Sequence, residues 1–407
     1  MRIAGIVAEY NPFHLGHAWQ IARTREQLGP DGAIVCVMSG DFVQRGEPAM
    51  FSKYARAAAA VRCGADLVIE LPVPWCIGSA ERFARGAVDL LGGLGVVDVL
   101  SFRSESGDPA ALERIAACLD SGEYQAGLSR FLDEGLSFAA CRQAVVREVL
   151  GPEDAELLSG PNDNLAVEYL RAVRRGGYAM EPLAIRRTGT GHDQIGDGPI
   201  RSGSQLRAMA EHGEDLANFL PMAAYDEYRQ EIEQGRGPVF PEHLELPILS
   251  RLRMLEEDTF SELPDAGEGL EHRLYAACRE APDLQSLYTA VKSKRYAHAR
   301  IRRMVLCAAL GVRKQDFLTT PPYARILALN AAGAAVIRQV KSTGNSAVIS
   351  KSVAVRKHGP DAERIFQLTS NAHDLYVLAY KNAGFRAGEQ DWRESPRRIC
   401  EQTIEFS

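Results

Sequence analysis

The sequence predicts an α/β protein, with a doubly wound parallel sheet in its N-terminal half and a mainly helical C-terminal region. Short apolar runs recur through the first part of the chain, and helix-like stretches of about 10–15 residues separate them. This alternation is typical of a parallel sheet with helices on both faces. Beyond about residue 210 helical patterns dominate, and 407 residues are enough for two domains.

The predicted elements of the N-terminal half alternate along the chain. Runs that are mostly apolar on both faces indicate buried strands at residues 3–8, 33–38, 66–71 and 96–102. The helices between them cover residues 17–28, 53–63 and 80–91. A mostly helical stretch and a fifth strand follow, at residues 108–149 and 180–187. A loop rich in Gly, Ser and Asp then leads to a helix from Gln205.

The second half is predicted to be helical with a few short strands. The helices lie at residues 244–255, 269–280, 284–310, 331–341 and 361–380, and the strands at residues 323–329 and 347–350. Leu284, Leu287 and Val291 keep the spacing of one buried helix face. We place the boundary between an N-terminal unit, residues 1–210, and a C-terminal unit, residues 211–407, within about 210–240.

Composition and charge indicate a globular cytoplasmic protein. The chain is 46% hydrophobic and 25% charged, its net charge is −6, and no run of 18 apolar residues predicts a membrane span. The N-terminal strand does not resemble a signal peptide. The eight cysteines lack Cys-x-x-Cys spacing, so we expect buried thiols and no metal-binding side chains. RNA binding stays open because partners respond to local charge.

A His-x-Gly-His pattern at residues 14–17 follows the first predicted strand and favours phosphate binding. Gly16 leaves the backbone open to a ligand, and His17 begins a helix whose N-terminal amides attract anions. The imidazoles of His14 and His17 can donate to phosphate oxygens where charge accumulates during phosphoryl transfer. The alternatives are a helix cap with a surface histidine, or a metal site for which no third ligand is evident.

This pattern resembles that of the nucleotidyltransferase superfamily, which cleaves ATP between its α and β phosphates. Residues 200–207 (IRSGSQLR) loosely fit the superfamily's second signature. Ser202 and Ser204 are predicted to cap a helix there and to offer hydroxyls to phosphate, and Arg207 would neutralise phosphate charge. The expected fold of the N-terminal half is therefore Rossmann-like.

Further blocks are similar to the bacterial tRNA(Met) cytidine acetate ligase family. They are found at residues 7–14, 38–49, 52–53, 65–72, 160–162, 185–189, 294–296 and 300–303. The resemblance implies activation of acetate by ATP to acetyl-adenylate, with Mg²⁺ as an expected cofactor. The acetyl group would then pass to N4 of the wobble cytidine of elongator tRNA(Met), forming N4-acetylcytidine.

The resemblance also implies site residues. His14 and His17 are the expected catalytic residues. The expected ATP contacts are Val7, Ala8, Glu9, Tyr10, Asn11, Pro12, Phe13, His14, Gly16, His17, Gln20, Arg103, Asn162, Arg187 and Thr188. Possible substrate or phosphate contacts are Asp41, Gln44, Arg45, Lys53, Ser204 and Arg207.

Structural roles that involve no ligand remain as alternatives for several of these positions. Asn162 could be a helix cap, and Arg187 a solvated charge at the end of a strand. The segment that contains Arg45 and Lys53 could be a charged surface loop before a helix that starts at Ser52.

Arg103 departs from the family's pattern. The family usually has glycine in a Phe-Gly-Ser-Glu setting, where this chain has Phe102-Arg103-Ser104-Glu105. The arginine either fills part of the nucleotide pocket or reaches the phosphates itself. Two alternative functions therefore stay open: a catalytically impaired tRNA-binding homologue and a small-molecule adenylyltransferase.

Residues 292–303 (KSKRYAHARIRR) form a basic segment with interleaved Tyr and His. Such a segment can hold RNA through phosphate contacts and base stacking, although a solvated helix face is the common alternative. The resemblance favours tRNA contact. The expected tRNA-binding residues are Lys294, Arg295, Tyr296, Arg300, Arg302 and Arg303.

Overall fold

The computed structural model describes residues 1–134, 136–186, 200–293, 296–343 and 346–400. Four predicted site residues lie outside these ranges: Arg187, Thr188, Lys294 and Arg295. Within the described ranges, no helix is long and apolar enough to cross a membrane.

The strands confirm most of the predicted positions to within a few residues. They are β1 (Ile3–Ala8), β2 (Ala33–Ser39), β3 (Phe42–Val43), β4 (Glu47–Pro48), β5 (Leu67–Leu71), β6 (Val99–Ser104), β7 (Glu181–Arg186), β8 (Ala324–Leu329), β9 (Val348–Ile349) and β10 (Arg397–Arg398). The hairpin of β3 and β4 was not predicted, because two-residue strands carry no periodic signal.

Helices alternate with strands in the first half of the chain and dominate the second half, as predicted. They are α1 (Leu15–Leu28), α2 (Lys53–Arg62), α3 (Val73–Cys76), α4 (Ala80–Gly93), α5 (Pro109–Leu119), α6 (Gly122–Asp133), α7 (Phe138–Leu150), α8 (Pro152–Leu157), α9 (Pro161–Gly176), α10 (Gly203–Glu211), α11 (Met222–Glu233), α12 (Glu245–Arg253), α13 (Glu257–Ser261), α14 (Leu270–Glu280), α15 (Leu284–Val291), α16 (His298–Leu310), α17 (Ala331–Thr343), α18 (Pro360–Val377) and α19 (Gln390–Arg393). Short 3₁₀ turns lie at Ala217–Phe219, Pro241–Leu244, Lys314–Asp316, Ser352–His358 and Ala383–Phe385.

The central sheet has the order β10-β8-β5-β2-β1-β6-β7, with β9 beside β8. Its strands pair in parallel except β5 and β8, which are antiparallel. The chain proceeds from β1 through β2 to β5 on one side and returns through β6 and β7 on the other. This reversal beside β1 is a topological switch point, where open α/β sheets bind ligands.

The second half of the chain extends the same sheet. Strands β8, β9 and β10 come from residues beyond 320 and pair with β5 or with one another. The division of the chain near residues 210–240 stays a prediction, and the sheet continues across it. The predicted helix over residues 284–310 is wrong as a single element. The chain leaves α15 at Lys292, which is extended with φ −59° and ψ 133°, and α16 begins at His298.

Alternate residues of β2 pack on opposite faces of the sheet. Val35 and Val37 belong to one buried apolar cluster, whereas Ile34, Cys36 and Met38 belong to another. Because successive strand residues point to opposite faces, the sheet has an apolar layer on each side. Fully burying side chains of this size contributes about 1.5–3 kcal/mol each, so the layers hold the sheet's carboxyl edge in place.

Side-chain caps fix where the helices near that edge begin. Ser52 accepts from Ala55 N at 3.3 Å and starts α2. Ser202 accepts from Gln205 N at 3.3 Å and starts α10. Each cap satisfies an amide that the helix leaves unpaired. Both predicted helix starts are confirmed, and Ser202 rather than Ser204 is the capping residue of α10.

Candidate active site

A cavity of about 470 Å³ opens beyond the carboxyl ends of β1 and β6, at the switch point of the sheet. The segment after β1, the β3–β4 turn and the starts of α1, α9 and α10 all contribute to its wall. The predicted site residues that line it are Val7, Ala8, Glu9, Tyr10, Asn11, His14, His17, Gln20, Gln44, Arg45, Arg103, Asn162, Ser204 and Arg207. The structure therefore brings together most of the predicted ATP contacts.

The segment between β1 and α1 is held by hydrogen bonds from three other parts of the chain. Met50 N donates to Asn11 Oδ1 at 2.8 Å, and Arg207 Nη1 donates to Asn11 O at 2.8 Å. Phe13 N donates to the Tyr228 hydroxyl at 3.0 Å. Phe13 is fully buried and does not line the cavity, and neither does Pro12. These two predicted contacts shape the loop instead.

The two histidines of the motif lie together at the start of α1. His14 is the N-cap, and its Nδ1 accepts from Gly16 N at 3.0 Å. The Nδ1 of His17 accepts from His14 N at 3.3 Å, and the ring centroids are 3.9 Å apart. Because Nδ1 is an acceptor in each ring, the neutral tautomer carries its proton on Nε2. The cap interpretation is correct for His14, yet both rings line the cavity.

Gly16 makes room for side chains at the start of α1. A Cβ there would lie 2.9 Å from His14 Cε1 and 3.4 Å from Arg103 Nη1. Glycine at this position therefore makes room for the His14 ring, and contact between the Gly16 backbone and a ligand stays a prediction. The same geometry places the Arg103 guanidinium beside the positive end of the α1 dipole.

Reciprocal carboxylate caps hold the α9 side of the cavity. Glu105 accepts from Asn162 N at 3.2 Å, from Asp163 N at 2.8 Å, and from Asn162 Nδ2. Asp163 accepts in turn from Glu105 N at 3.1 Å and Ser106 N at 3.0 Å. The N-cap of α9 is Gly160, so the interpretation of Asn162 as the helix cap is wrong. Its side chain faces the cavity with Nδ2 bound to Glu105.

The polar part of the wall is richer in cations than in carboxylates. The guanidinium groups of Arg45, Arg103 and Arg207 line the cavity, against the carboxylates of Glu9 and Glu47. Burial raises the pKa of Glu9, although its bond from Gln44 N at 2.7 Å and the nearby arginines oppose that rise. Burial lowers the pKa of Arg207. An arginine stays protonated in proteins, so this wall suits a polyanion.

The apolar part of the wall was missed as part of the site. It consists of Val43, Ala80, Phe83, Phe102, Leu165 and Tyr169. In the sequence these residues belong to apolar runs and helix faces that look like ordinary core. Pro161, Asn164, Gly203 and Glu47 also line the cavity without having been predicted as contacts, and so does Ser202, whose hydroxyl was predicted to contact phosphate.

Lys53 and Asp41 were predicted as substrate or phosphate contacts, and the structure contradicts both predictions. Lys53 is fully buried, with its Nζ 2.7 Å from Glu70 Oε1 and 2.6 Å from Asp391 Oδ2. Asp41 is 1% exposed and accepts from Lys53 N at 2.8 Å. Neither lines the cavity. They belong to a buried ionic cluster, which we define as Asp41, Lys53, Glu70, Arg325, His373 and Asp391.

The charged groups of the ionic cluster shift one another's pKa. Burial alone would raise the pKa of Asp41, but His373 and Lys53 outweigh it and lower that pKa to about 2. Burial alone would lower the pKa of His373, but the carboxylates of Asp41 and Asp391 outweigh it and raise that pKa. The Asp41 Oδ2 to His373 Nδ1 distance is 2.8 Å. The cluster is a structural element that joins α18 and α19 to the sheet.

In the basic segment, residues 292–303, several described side chains that were predicted to contact tRNA contact other parts of the protein. Tyr296 is 4% exposed, and its hydroxyl donates to Glu268 O at 2.7 Å, so it cannot stack on a base as predicted. The predicted tRNA-binding arginines that the structure describes face acidic partners. Arg300 pairs with Glu268, Arg302 with Glu47 and Arg303 with Asp265.

The basic segment nevertheless lies against the cavity wall. The β3–β4 turn contributes Arg45 and Glu47 to that wall. Gly46, between them, has φ 79°, and a Cβ on it would lie 2.7 Å from Arg303 N and 2.8 Å from Arg302 Cβ. The turn therefore packs directly on the N-terminal part of α16.

Among the residues with described positions, no group of three or more His, Cys, Asp or Glu side chains is arranged to hold a metal ion.

The chain is similar to known proteins over nearly its whole length. Residues 1–391 match the HIGH Nucleotidyl Transferase family. The tRNA(Met) cytidine acetate ligase of Syntrophomonas wolfei is 36% identical, over 97% of this chain and 99% of the relative. That of Acetivibrio thermocellus is 34% identical, also over 97% of this chain and 99% of the relative. The chain belongs to the tRNA(Met) cytidine acetate ligase family.

A solved structure has the same fold over nearly the whole chain. Thermotoga maritima TmcAL, crystallised with alpha-thio ATP, superposes with a TM-score of 0.91 at 31% identity, covering 98% of this chain and 100% of that chain. The apo crystal form of TmcAL gives a TM-score of 0.92 with the same coverage. The agreement extends over both halves of the chain, including the helical region beyond residue 210.

Proposed function

We propose that this protein activates acetate with ATP and transfers the acetyl group to N4 of the wobble cytidine of elongator tRNA(Met), in the cytoplasm. The observation that carries the proposal is the pair His14 and His17 at the start of α1, facing a cavity that Arg103 and Arg207 also line. The names of the relatives support the two substrates, and the bound ATP analogue of TmcAL supports the nucleotide.

The first step suits the cationic wall. An acetate oxygen attacks the α-phosphorus of ATP, acetyl-adenylate forms, and pyrophosphate leaves. The Nε2–H groups of His14 and His17 would donate to the phosphate oxygens as their charge increases, at the positive end of the α1 dipole. Arg103 lies beside that end of α1. We therefore propose that it reaches the phosphates and does not block the pocket, which makes the impaired-homologue alternative less attractive.

Mg²⁺ fits this arrangement as a companion of ATP. This ion usually keeps several waters and is bound through substrate phosphates rather than by a protein cage. The described residues offer no such cage, so the phosphates would supply the ligands. When bound, Mg²⁺ would neutralise phosphate charge.

The tRNA would reach the cavity across the β3–β4 turn. Arg45 is exposed and lines the cavity, and the same turn packs on α16. We propose that Arg45 contacts a phosphate beside the wobble cytidine, while Arg300 and Arg302 add to the positive potential nearby. Lys294 and Arg295 stay predicted tRNA contacts, as do Arg187 and Thr188 for ATP.

Arg45→Gln tests this contact. Binding of tRNA(Met) should weaken, and the slope of log affinity against log salt should fall by about 0.7–0.9 for one lost phosphate contact. Arg147→Gln, an exposed arginine on α7, is the matched control and should leave the slope unchanged. An unchanged slope in Arg45→Gln would remove Arg45 from the interface.

One incubation tests the proposed activity itself. The protein is mixed with labelled acetate, ATP and total tRNA, and tRNA nucleosides are analysed by mass spectrometry. We expect labelled N4-acetylcytidine in tRNA(Met). Labelled formate in place of acetate should give little label, although one methyl group is worth only about 1–3 kcal/mol of selectivity. ATP turnover without labelled tRNA would indicate a small-molecule adenylyltransferase. Retardation of tRNA in a gel without ATP turnover would indicate a binding protein.

A further inference from the structure

Acetyl transfer to cytidine requires a proton acceptor in the cavity. The N4 nitrogen attacks the carbonyl carbon of acetyl-adenylate, a C–N bond forms, and the C–O bond to AMP breaks. AMP leaves with that oxygen, and the nitrogen must lose one proton to become an amide. Cytidine N4 is a weak nucleophile because its lone pair is conjugated with the pyrimidine ring. A positioned general base therefore accelerates such a step.

Most of the titratable groups that line the cavity cannot accept this proton. Arg45, Arg103 and Arg207 are permanently protonated. His14 and His17 use Nδ1 to accept backbone N–H groups, and their Nε2 atoms carry protons in the neutral tautomer. These five side chains are donors on the cavity side.

Three further groups are also excluded. Burial raises the pKa of the Tyr10 and Tyr169 phenols, so both stay protonated. Tyr10 also shares a 3.3 Å contact with Cys36 Sγ. The carboxylate of Glu47 is held in an ion pair by the Arg302 guanidinium, so it is not available as the base.

Among the described residues that line the cavity, Glu9 is the carboxylate that remains. It directly follows β1, so the core of the sheet fixes its backbone, and Arg56 Nη1 donates to its carbonyl at 2.5 Å. Gln44 N donates to Oε1 at 2.7 Å and orients the carboxylate, which leaves the second oxygen as a proton acceptor. Of the carboxylates that line the cavity in the described part of the chain, Glu9 alone combines this orientation with the lack of an arginine ion pair.

We propose that Glu9 is the catalytic base of acetyl transfer, and that its second carboxylate oxygen takes the proton from cytidine N4 as the acetyl group moves. The proposal rests on the proposed function and adds a residue to its second step. Glu9 is a poor partner for ATP phosphates, because like charges repel. Its position on the cavity wall is thus better explained by a task after pyrophosphate has left.

The electrostatic surroundings of Glu9 fit this task. Burial raises its pKa, which makes it a stronger base than an exposed carboxylate. The cations that face it are Arg45 from the β3–β4 turn, Arg56 from α2 and Arg207 from α10. Tyr169 of α9 and Cys76 of α3 also face it, and burial keeps both protonated. The base form is the ionised one, so the transfer rate should rise as pH passes through this raised pKa.

The test separates the two half-reactions. Acetate-dependent exchange of pyrophosphate into ATP reports adenylate formation, and single-turnover transfer of labelled acetyl to tRNA(Met) reports the second step. In Glu9→Gln we expect exchange within about threefold of wild type, whereas transfer falls about 10²–10⁴-fold and loses its rise with pH. Glu9→Asp should recover part of the transfer and its pH dependence. Glu26→Gln, on the exposed face of α1, is the control and should match wild type in both assays.

Two results would overturn the assignment. Equal losses of exchange and transfer would place Glu9 in adenylate formation or nucleotide binding. Wild-type transfer in Glu9→Gln would remove it from the reaction. Failure of the proposed function has a different signature, since wild-type protein would then show no acetate-dependent exchange.

Discussion

Replacing Lys53 by methionine should destabilise the protein without removing a ligand contact. In the ionic cluster, Lys53, Arg325 and protonated His373 balance the carboxylates of Asp41, Glu70 and Asp391. Methionine fills similar space but leaves one carboxylate charge uncompensated at a fully buried site. Breaking a buried pair by removing one partner costs about 3–5 kcal/mol.

The structure places the expected loss within that range rather than above it. Arg325 Nη1 still lies 3.0 Å from Glu70 Oε2 and 2.8 Å from Asp391 Oδ2 after Lys53 is removed. Arg325 therefore still contacts both carboxylates. The free-energy costs at Glu70 and Asp391 consequently do not add. Urea unfolding followed by circular dichroism measures the change. Lys381→Met, on an exposed turn, should stay within about 0.5 kcal/mol of wild type.

Acetate-dependent exchange, measured at a temperature where both proteins are folded, completes this test. Lys53→Met should retain exchange, because Lys53 does not line the cavity. A fully stable variant that has lost exchange would refute the structural role and restore Lys53 as a ligand contact. A stability loss below about 1 kcal/mol would show that the buried charges are not coupled as strongly as their distances indicate.

Three further predictions concern single residues. His17→Ala should lower exchange about 10²–10³-fold while gel retardation of tRNA is unchanged, since one preorganised donor is lost; normal exchange would contradict its role. Gly46→Ala forces a Cβ to 2.7 Å from Arg303 N at φ 79°, so it should raise the KM for tRNA with exchange retained. In wild type the contribution of His373 to stability is complete below about pH 6.5 and is lost as pH rises through its raised pKa. Urea midpoints of His373→Gln should lack that decline, and a decline equal to wild type would disprove the coupling to Asp41.

The outcomes for individual residues show why some predictions succeeded. The spacing of His14 and His17 is read from one helix start, where each ring bonds an amide two or three residues away. Such local geometry follows from the chain itself. The buried strands were equally accessible, because β2 is apolar along its whole length. The resemblance added Arg207 and Asn162, which line the same cavity from distant parts of the chain.

Several predicted site residues have partners in the structure that are remote in sequence. Lys53 resembles an exposed helix-start lysine until Asp391, 338 residues away, comes within 2.6 Å of it. Arg302 resembles a free RNA contact until Glu47, 255 residues away, pairs with it. Tyr296 resembles a stacking aromatic until its hydroxyl reaches Glu268. In each case the sequence shows the type of side chain but not the distant residue that neutralises or covers it.

By itself, the sequence determined the α/β class, the strand that leads into the imidazole pair, and the family, because periodicity and short motifs act over a few residues. Only the tertiary structure decided which charges face the cavity and which are neutralised in the core. Electrostatic energy depends on distance and burial, and both are set when strands and helices far apart in the chain pack together.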